Sequence, residues 1–153
     1  MNPTERMEAN TVAKRDLYHN ISEAQVAVPM IAHAASITLA NSVGIDTYGY
    51  YGVIIMVVVG VVTDSTHALV LYESDTDTPS SATGYTAVAA ADMIGTLPAN
   101  LTTLTNFKLG YIGQKRYLRL PLTWTTSGSG VGGIYGAYSI LGFPMHKPIA
   151  GTS

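Results

Sequence analysis

The sequence predicts an all-β protein: a single antiparallel β-sandwich or jelly-roll-like domain with an extended N-terminal arm. Three observations carry that reading. The apolar runs are short and rich in Val, Ile, Leu and Tyr; turn residues recur between them; and strands alternating with long helical patterns are absent. The chain has 153 residues, enough for one domain with its own core and too few for two.

Taken in order, the strand candidates are Ser36–Leu39, Gly52–Val62, His67–Glu73, Tyr85–Val88, Asn106–Ile112, Lys115–Thr125 and Val131–Leu141. Asn41-Ser42 and Gly44 separate the first two, and Thr63-Asp64-Ser65 follows the second. Asp75 to Gly84, Gly113-Gln114 and Ser127 to Gly130 provide the remaining turns. Residues 1–30 read as a polar arm that carries Glu5, Arg6, Glu8, Lys14, Arg15, Asp16 and Glu23, has room for a short helix and adds little to a core. Residues 31–148 form the domain, and 149–153 a flexible tail. Ala89–Ile94 reads as one helical turn closed by Gly95.

Two strand patterns bear on partners. In Lys115–Thr125, Leu118, Leu120, Leu122 and Trp124 share one face, and Tyr117, Arg119 and Thr123 share the other. Pro121 marks an edge or an end of pairing there, because it has no N–H to donate. Val53–Val59 has no polar face: Val53, Ile55, Val57 and Val59 point one way, Ile54, Met56 and Val58 the other. A small antiparallel domain covers only one face of such a strand with its own core. The other face is covered either by the arm or a loop, or by another subunit.

Composition narrows the function classes. Charged residues make up 12% of the chain, about half the average, and 47% are hydrophobic. The net charge of −2 leaves no basic field for nucleic-acid phosphates, so no nucleic-acid partner is expected. The chain has no cysteine, which removes disulfides, thiolate zinc sites and a Cys nucleophile together. Its most apolar stretch, Val53 to Val62, is half the length of a membrane span, and the N-terminus lacks the apolar core of a secretory signal, so no membrane partner is expected.

Chemistry-bearing constellations are sparse. His19, His33, His67 and His146 are scattered without metal-ligand spacing. Glu73, Asp75 and Asp77 in ESDTDT could offer oxygens to Ca²⁺, but the EF-hand glycine and terminal Glu are missing, and a solvated turn is the simpler reading. Asp64, Ser65 and His67 are triad residue types crowded into one turn, with no nucleophile elbow. The glycines of SGSGVGGIYG lack the Lys-Ser or Lys-Thr of a phosphate loop. Neither catalytic residues nor a cofactor or metal is expected. Lys115, Arg116 and Arg119 form a basic cluster, read either as a solvated strand start or as an ion-pairing contact with an acidic partner.

Several segments resemble a known family. KRDLYHNI (14–21), LYESDTDT with YTAV (71–88), ADMIGTL (91–97), LGYIGQKRYLRL (109–120) and GAYSILGFPMHKP (136–148) are similar to a family of small tailed-phage and prophage head proteins that resemble capsid decoration (cement) proteins. The resemblance spans about residues 14 to 148, and GYIGQKRYLRL is its most specific part. The turn after Asp75 is longer here than the family pattern, and the 13 residues before Lys14 are additional. The resemblance implies a β-rich virion structural protein, made in the host cytoplasm and placed on the capsid exterior. Its partners would be the major capsid protein and, as a dimer or trimer, further copies of itself. Leu17, Tyr18 and Ile21 of the arm, with Lys115, Arg116 and Arg119, are the candidate partner-binding residues. Two other readings stand beside it: a tail or head–tail connector component, and a carbohydrate-binding adhesion module presenting Tyr48, Tyr50 and Tyr51.

Overall fold

The computed structural model describes residues 21, 25–63, 66–125 and 132–145. Among these the chain is all-β, with antiparallel sheets packed together in a sandwich-like domain. Eleven strands follow in order: β1 (Gln25–His33), β2 (Gly44–Asp46), β3 (Tyr50–Val62), β4 (Thr66–Leu69), β5 (Tyr72–Ser74), β6 (Thr86–Ala87), β7 (Met93–Ile94), β8 (Asn106–Tyr111), β9 (Tyr117–Arg119), β10 (Leu122–Thr125) and β11 (Gly133–Pro144). A five-stranded sheet has the order β1-β11-β3-β8-β7. A four-stranded sheet, β2-β9-β5-β6, and a β4–β10 ladder complete the fold.

One core lies between these layers. Val53, Ile55, Val57 and Val59 of β3 enter it from the large sheet, with Tyr135, Ala137 and Leu141 of β11 and Leu109 and Tyr111 of β8. Ile45, Leu69, Leu71, Leu118, Leu120 and Leu122 meet them from the opposite layer. The period-two pattern predicted for β3 and for Leu118, Leu120 and Leu122 is the one that packs.

Several expectations about elements are corrected. The domain does not begin at residue 31: β1 pairs with β11 from Gln25 to His33, and Ala27 and Val28 are buried in the core. Pro29 obscured this strand in the sequence. It is tolerated because β1 is an edge and two register shifts, between Val26 and Val28 and between Val28 and Ile31, flank it. Ser36–Leu39 is not a strand; Ile37 makes a single bridge to Leu122, and Leu39–Asn41 is a 3₁₀ turn.

His67–Glu73 and Lys115–Thr125 are each split in two, and at the same place. Leu69 faces Leu122 and Tyr72 faces Arg119. Two residues lie between these pairs on each strand, so the register continues across the gap. The ladder lapses opposite Pro121, which cannot donate to it. Ala89–Ile94 resolves into a 3₁₀ turn, Ala90–Asp92, followed by β7, with Gly95 at φ +90°. Leu17, Tyr18, residues 1–13, the 127–130 turn and the 149–153 tail lie outside the described residues.

Candidate interaction surfaces

The residues that sequence reading singled out mostly satisfy one another. From Glu73 in β5 the chain runs as alternating acids, and each acid reaches a partner on the β8–β9 stretch. The Tyr111 hydroxyl donates to Glu73 at 2.6 Å and accepts the Lys115 backbone N–H at 2.9 Å. Lys115 pairs with Asp75. Arg119 pairs with Asp77 at 2.5 Å, and the Tyr85 hydroxyl donates to the same carboxylate at 2.6 Å. Glu73, Asp75 and Asp77 are therefore not a plain solvated turn but a clasp, in which loop 75–85 is tied to β9. Gly113 completes it, since a β-carbon there would lie 2.5 Å from the Tyr111 hydroxyl oxygen.

Arg119 needs correction as a partner-binding residue. Alternation set it opposite Leu118 and thus outward, but it is 2% exposed. Its guanidinium donates to the carbonyls of Leu39 (2.9 Å), Ser81 (2.8 Å) and Thr78 (3.1 Å) and lies 4.8 Å from the Tyr85 ring centre. Those loops close over the outer face of the four-stranded sheet, and Arg119 is the pin beneath them. Burial, followed by the bond to Asp77, pushes the Tyr85 phenol above its ordinary pKa. Burial and the Glu73 contact do the same to Tyr111.

Lys115 and Arg116 are at the surface, each with an internal carboxylate. Arg116 grips Asp46 with two bonds, of 2.9 and 2.7 Å, and holds that carboxyl below the usual Asp range. The basic cluster is consequently neutralised by Asp46, Asp75 and Asp77 and projects no net positive patch. The Arg116 guanidinium also stacks 4.8 Å from the ring centres of both Tyr48 and Tyr117. Around it opens a trough of about 480 Å³, lined by Tyr48, Tyr51, Ile112, Gln114, Lys115 and Arg116 among others. Tyr48 and Tyr51 are 71% and 74% exposed there, while Tyr50 packs against the core.

The surface that sequence reading only half anticipated is the outer face of the five-stranded sheet. With 53, 55, 57 and 59 inward, β3 turns Ile54, Met56 and Val58 outward, and the register extends each into a row. Ile54 lies between Ile140 and Gly110, with Ile94 beyond. Met56 lies between Tyr138 and Lys108, and Val26 flanks Tyr138. Val58 lies between Gly136 and Asn106. Ile54, Ile94 and Val26 are exposed, and Met56, Val58, Tyr138 and Ile140 are half-buried. Across these rows Lys108, near one border, is the single charge. Ile21 of the proposed arm contacts has one described feature, a bridge to Gly142 at the end of β11.

The buried histidines make their contacts within the fold. His67 lies wholly inside, its Nδ1 2.9 Å from the Tyr135 hydroxyl. His33 stacks on the same ring, with Nε2 2.9 Å from the Pro29 carbonyl and 3.1 Å from that of Tyr135. His67 is thus sealed from solvent, and Asp64 and Ser65 lie outside the described residues. Among the described residues no three His, Asp or Glu side chains are placed to hold a metal, and no helix is long and apolar enough to cross a membrane.

Compared with protein-family models, curated proteins and solved structures, this chain matches none.

Proposed function

We propose that the chain is a virion structural protein that binds the outside of a tailed-phage capsid and stabilises the assembled shell, with the major capsid protein as its partner. The observation that carries this reading is the outer face of the five-stranded sheet, a broad apolar surface that only contact with protein removes from water. The low charge of the chain and the resemblance of its motifs support the same reading. The clasp supports it too: by fixing loop 75–85 and the β8–β9 turn, it gives a rigid framework whose surface loses little entropy on docking.

Stabilisation would act through mass action. A chain that binds assembled shell and not free subunits shifts assembly towards the shell. An oligomer that touches several capsid subunits at once multiplies modest single contacts. Mass-spectrometric counting of this chain against the major capsid protein in purified particles tests the reading. A ratio near one, or a simple fraction repeated by the shell symmetry, is expected. A few copies per particle would move the protein to the tail or connector, and its absence from particles would end the proposal.

The trough favours a second reading, carbohydrate binding. Tyr48 and Tyr51 offer flat apolar faces, Gln114 offers an amide, and the paired charges around them suit a neutral ligand such as a sugar ring. Glycan-array binding abolished by Tyr51→Ala would establish it; no binding to any glycan would remove it.

A further inference from the structure

We infer that the outer face of the five-stranded sheet is where a second copy of this chain packs, face to face, to form a closed dimer. The inference deepens the structural-protein reading and rests on it.

Size is the first argument. Strands of 9, 12, 13, 6 and 2 residues make up the sheet. At ordinary strand rise and spacing its face covers on the order of 700 Å². That footprint, with Asn106, Lys108 and the strand ends included, approaches the roughly 800 Å² that a stable interface buries on each partner.

Relief is the second. Glycines would pit this face, but neighbouring side chains fill the hollows. Ile94 lies over Gly110 and Ile134 over Gly60, where a β-carbon would be a tight fit, and Met30 lies over Gly136, where it would come within 2.9 Å of the Met30 Cα. The result is a largely apolar layer with its glycine hollows filled, of the kind that stacks on another sheet about 10 Å away. Lys108 stands on the border strand pair rather than over β3 and β11, so two copies can meet without burying like charges at the centre.

The third argument is availability and direction. The face contains no carboxylate, and of its hydrogen-bonding groups only the Tyr138 hydroxyl lies near the centre, with Asn106 and Lys108 on β8; what it needs is a similarly large apolar face, which every copy of the chain supplies from synthesis onward. Pairing through the sheet edges is disfavoured. Pro29 and two register shifts interrupt β1, and β7 at the other edge is two residues long. Face-to-face packing remains, and because each copy uses the same face the contact closes at two.

The test is the mass of the full chain in solution by light scattering after size exclusion, with Ile54→Lys on the central strand and Val43→Lys, on the exposed segment before β2, as control. The parent and the control are expected at twice the chain mass, and Ile54→Lys, with an unchanged circular dichroism spectrum, at one chain mass. Its dimer affinity should fall by about thirty-fold or more, as for a central interface residue. A parent that is monomeric at about 100 μM, a concentration tenfold above any dimer constant worth the name, would overturn the inference. So would an Ile54→Lys protein that dimerises as tightly as the parent. Counting copies per particle separates the outcomes: a monomer present in stoichiometric number sinks the dimer and leaves the decoration reading standing, and a dimer absent from particles does the reverse.

Discussion

Replacing Arg119 by Met should be the most damaging change available at a charged residue of this domain. Methionine fills much of the same space but donates nothing. Asp77 would then keep only the Tyr85 hydroxyl, and the carbonyls of Leu39, Thr78 and Ser81 would lose their shared donor. Removing one partner of a buried ion pair costs roughly 3–5 kcal/mol. Asp77 keeps 23% of its side chain exposed and recovers some hydration, which places the expected loss near the low end, about 3 kcal/mol. For a domain of this size that corresponds to a fall in Tm of roughly 6–12 °C. Urea unfolding followed by circular dichroism measures it directly. Two comparisons sharpen the result. Adding Asp77→Asn to Arg119→Met should restore part of the loss, because the orphaned carboxylate is gone. Lys115→Met and Arg116→Met, at exposed pairs, should leave the unfolding midpoint close to the parent's. An Arg119→Met protein within about 1 kcal/mol of the parent would refute the argument that this side chain pins the loops.

Other substitutions probe neighbouring parts of the fold. Gly113→Ala places a methyl against the Tyr111 ring, whose hydroxyl is held at both sides, and should cost about 1–3 kcal/mol in the same unfolding assay. Ser139 has a fully buried hydroxyl with no hydrogen-bond partner, so Ser139→Ala should raise stability by up to about 1 kcal/mol; a clear loss would show that the hydroxyl is bonded. Tyr85, Tyr111 and Tyr135 all have phenols raised above the ordinary value of 10.0, in each case chiefly by burial. Since the folded state favours the neutral phenols, their contribution is complete below pH 10 and declines as the pH rises beyond it. Phenolate absorbance should therefore show three tyrosines ionising together with alkaline unfolding, and their free titration in the folded protein would contradict the burial.

The parts of the fold legible in the sequence are those whose burial follows from a strand's own period. β3, β8 and β11 were readable because their apolar residues alternate or run unbroken, and the two-sided character of Val53–Val59 pointed to the face that the described residues leave uncovered. β1 was not readable, because Pro29 is a strand breaker everywhere except at an edge, and edge position belongs to the assembled sheet. Arg119 was misread for a related reason. Its neighbours in β9 alternate faithfully, yet the side meant for solvent is roofed by residues about 40 and 80 positions earlier. The basic cluster looked like a contact surface because its carboxylates, Asp46, Asp75 and Asp77, are distant in the chain, and only the fold brings them alongside. The trough had one sequence signal, the Tyr48-Gly49-Tyr50-Tyr51 run; that Arg116 would stack on Tyr48 had none.

The hydrogen bond from Tyr85 to Asp77 closes off the residues between them, with Pro79 and Ser80 at the tip, and Ser80 sits at φ +60°. Both ends of this loop are fastened from below, so its length is nearly independent of the framework that carries it. Doubling a flexible loop adds only about 0.6 kcal/mol of closure entropy. An insertion between Pro79 and Ser80 would therefore be cheap in chain entropy and would report instead on the pin beneath it, because Arg119 holds the Thr78 and Ser81 carbonyls on either side of that bond.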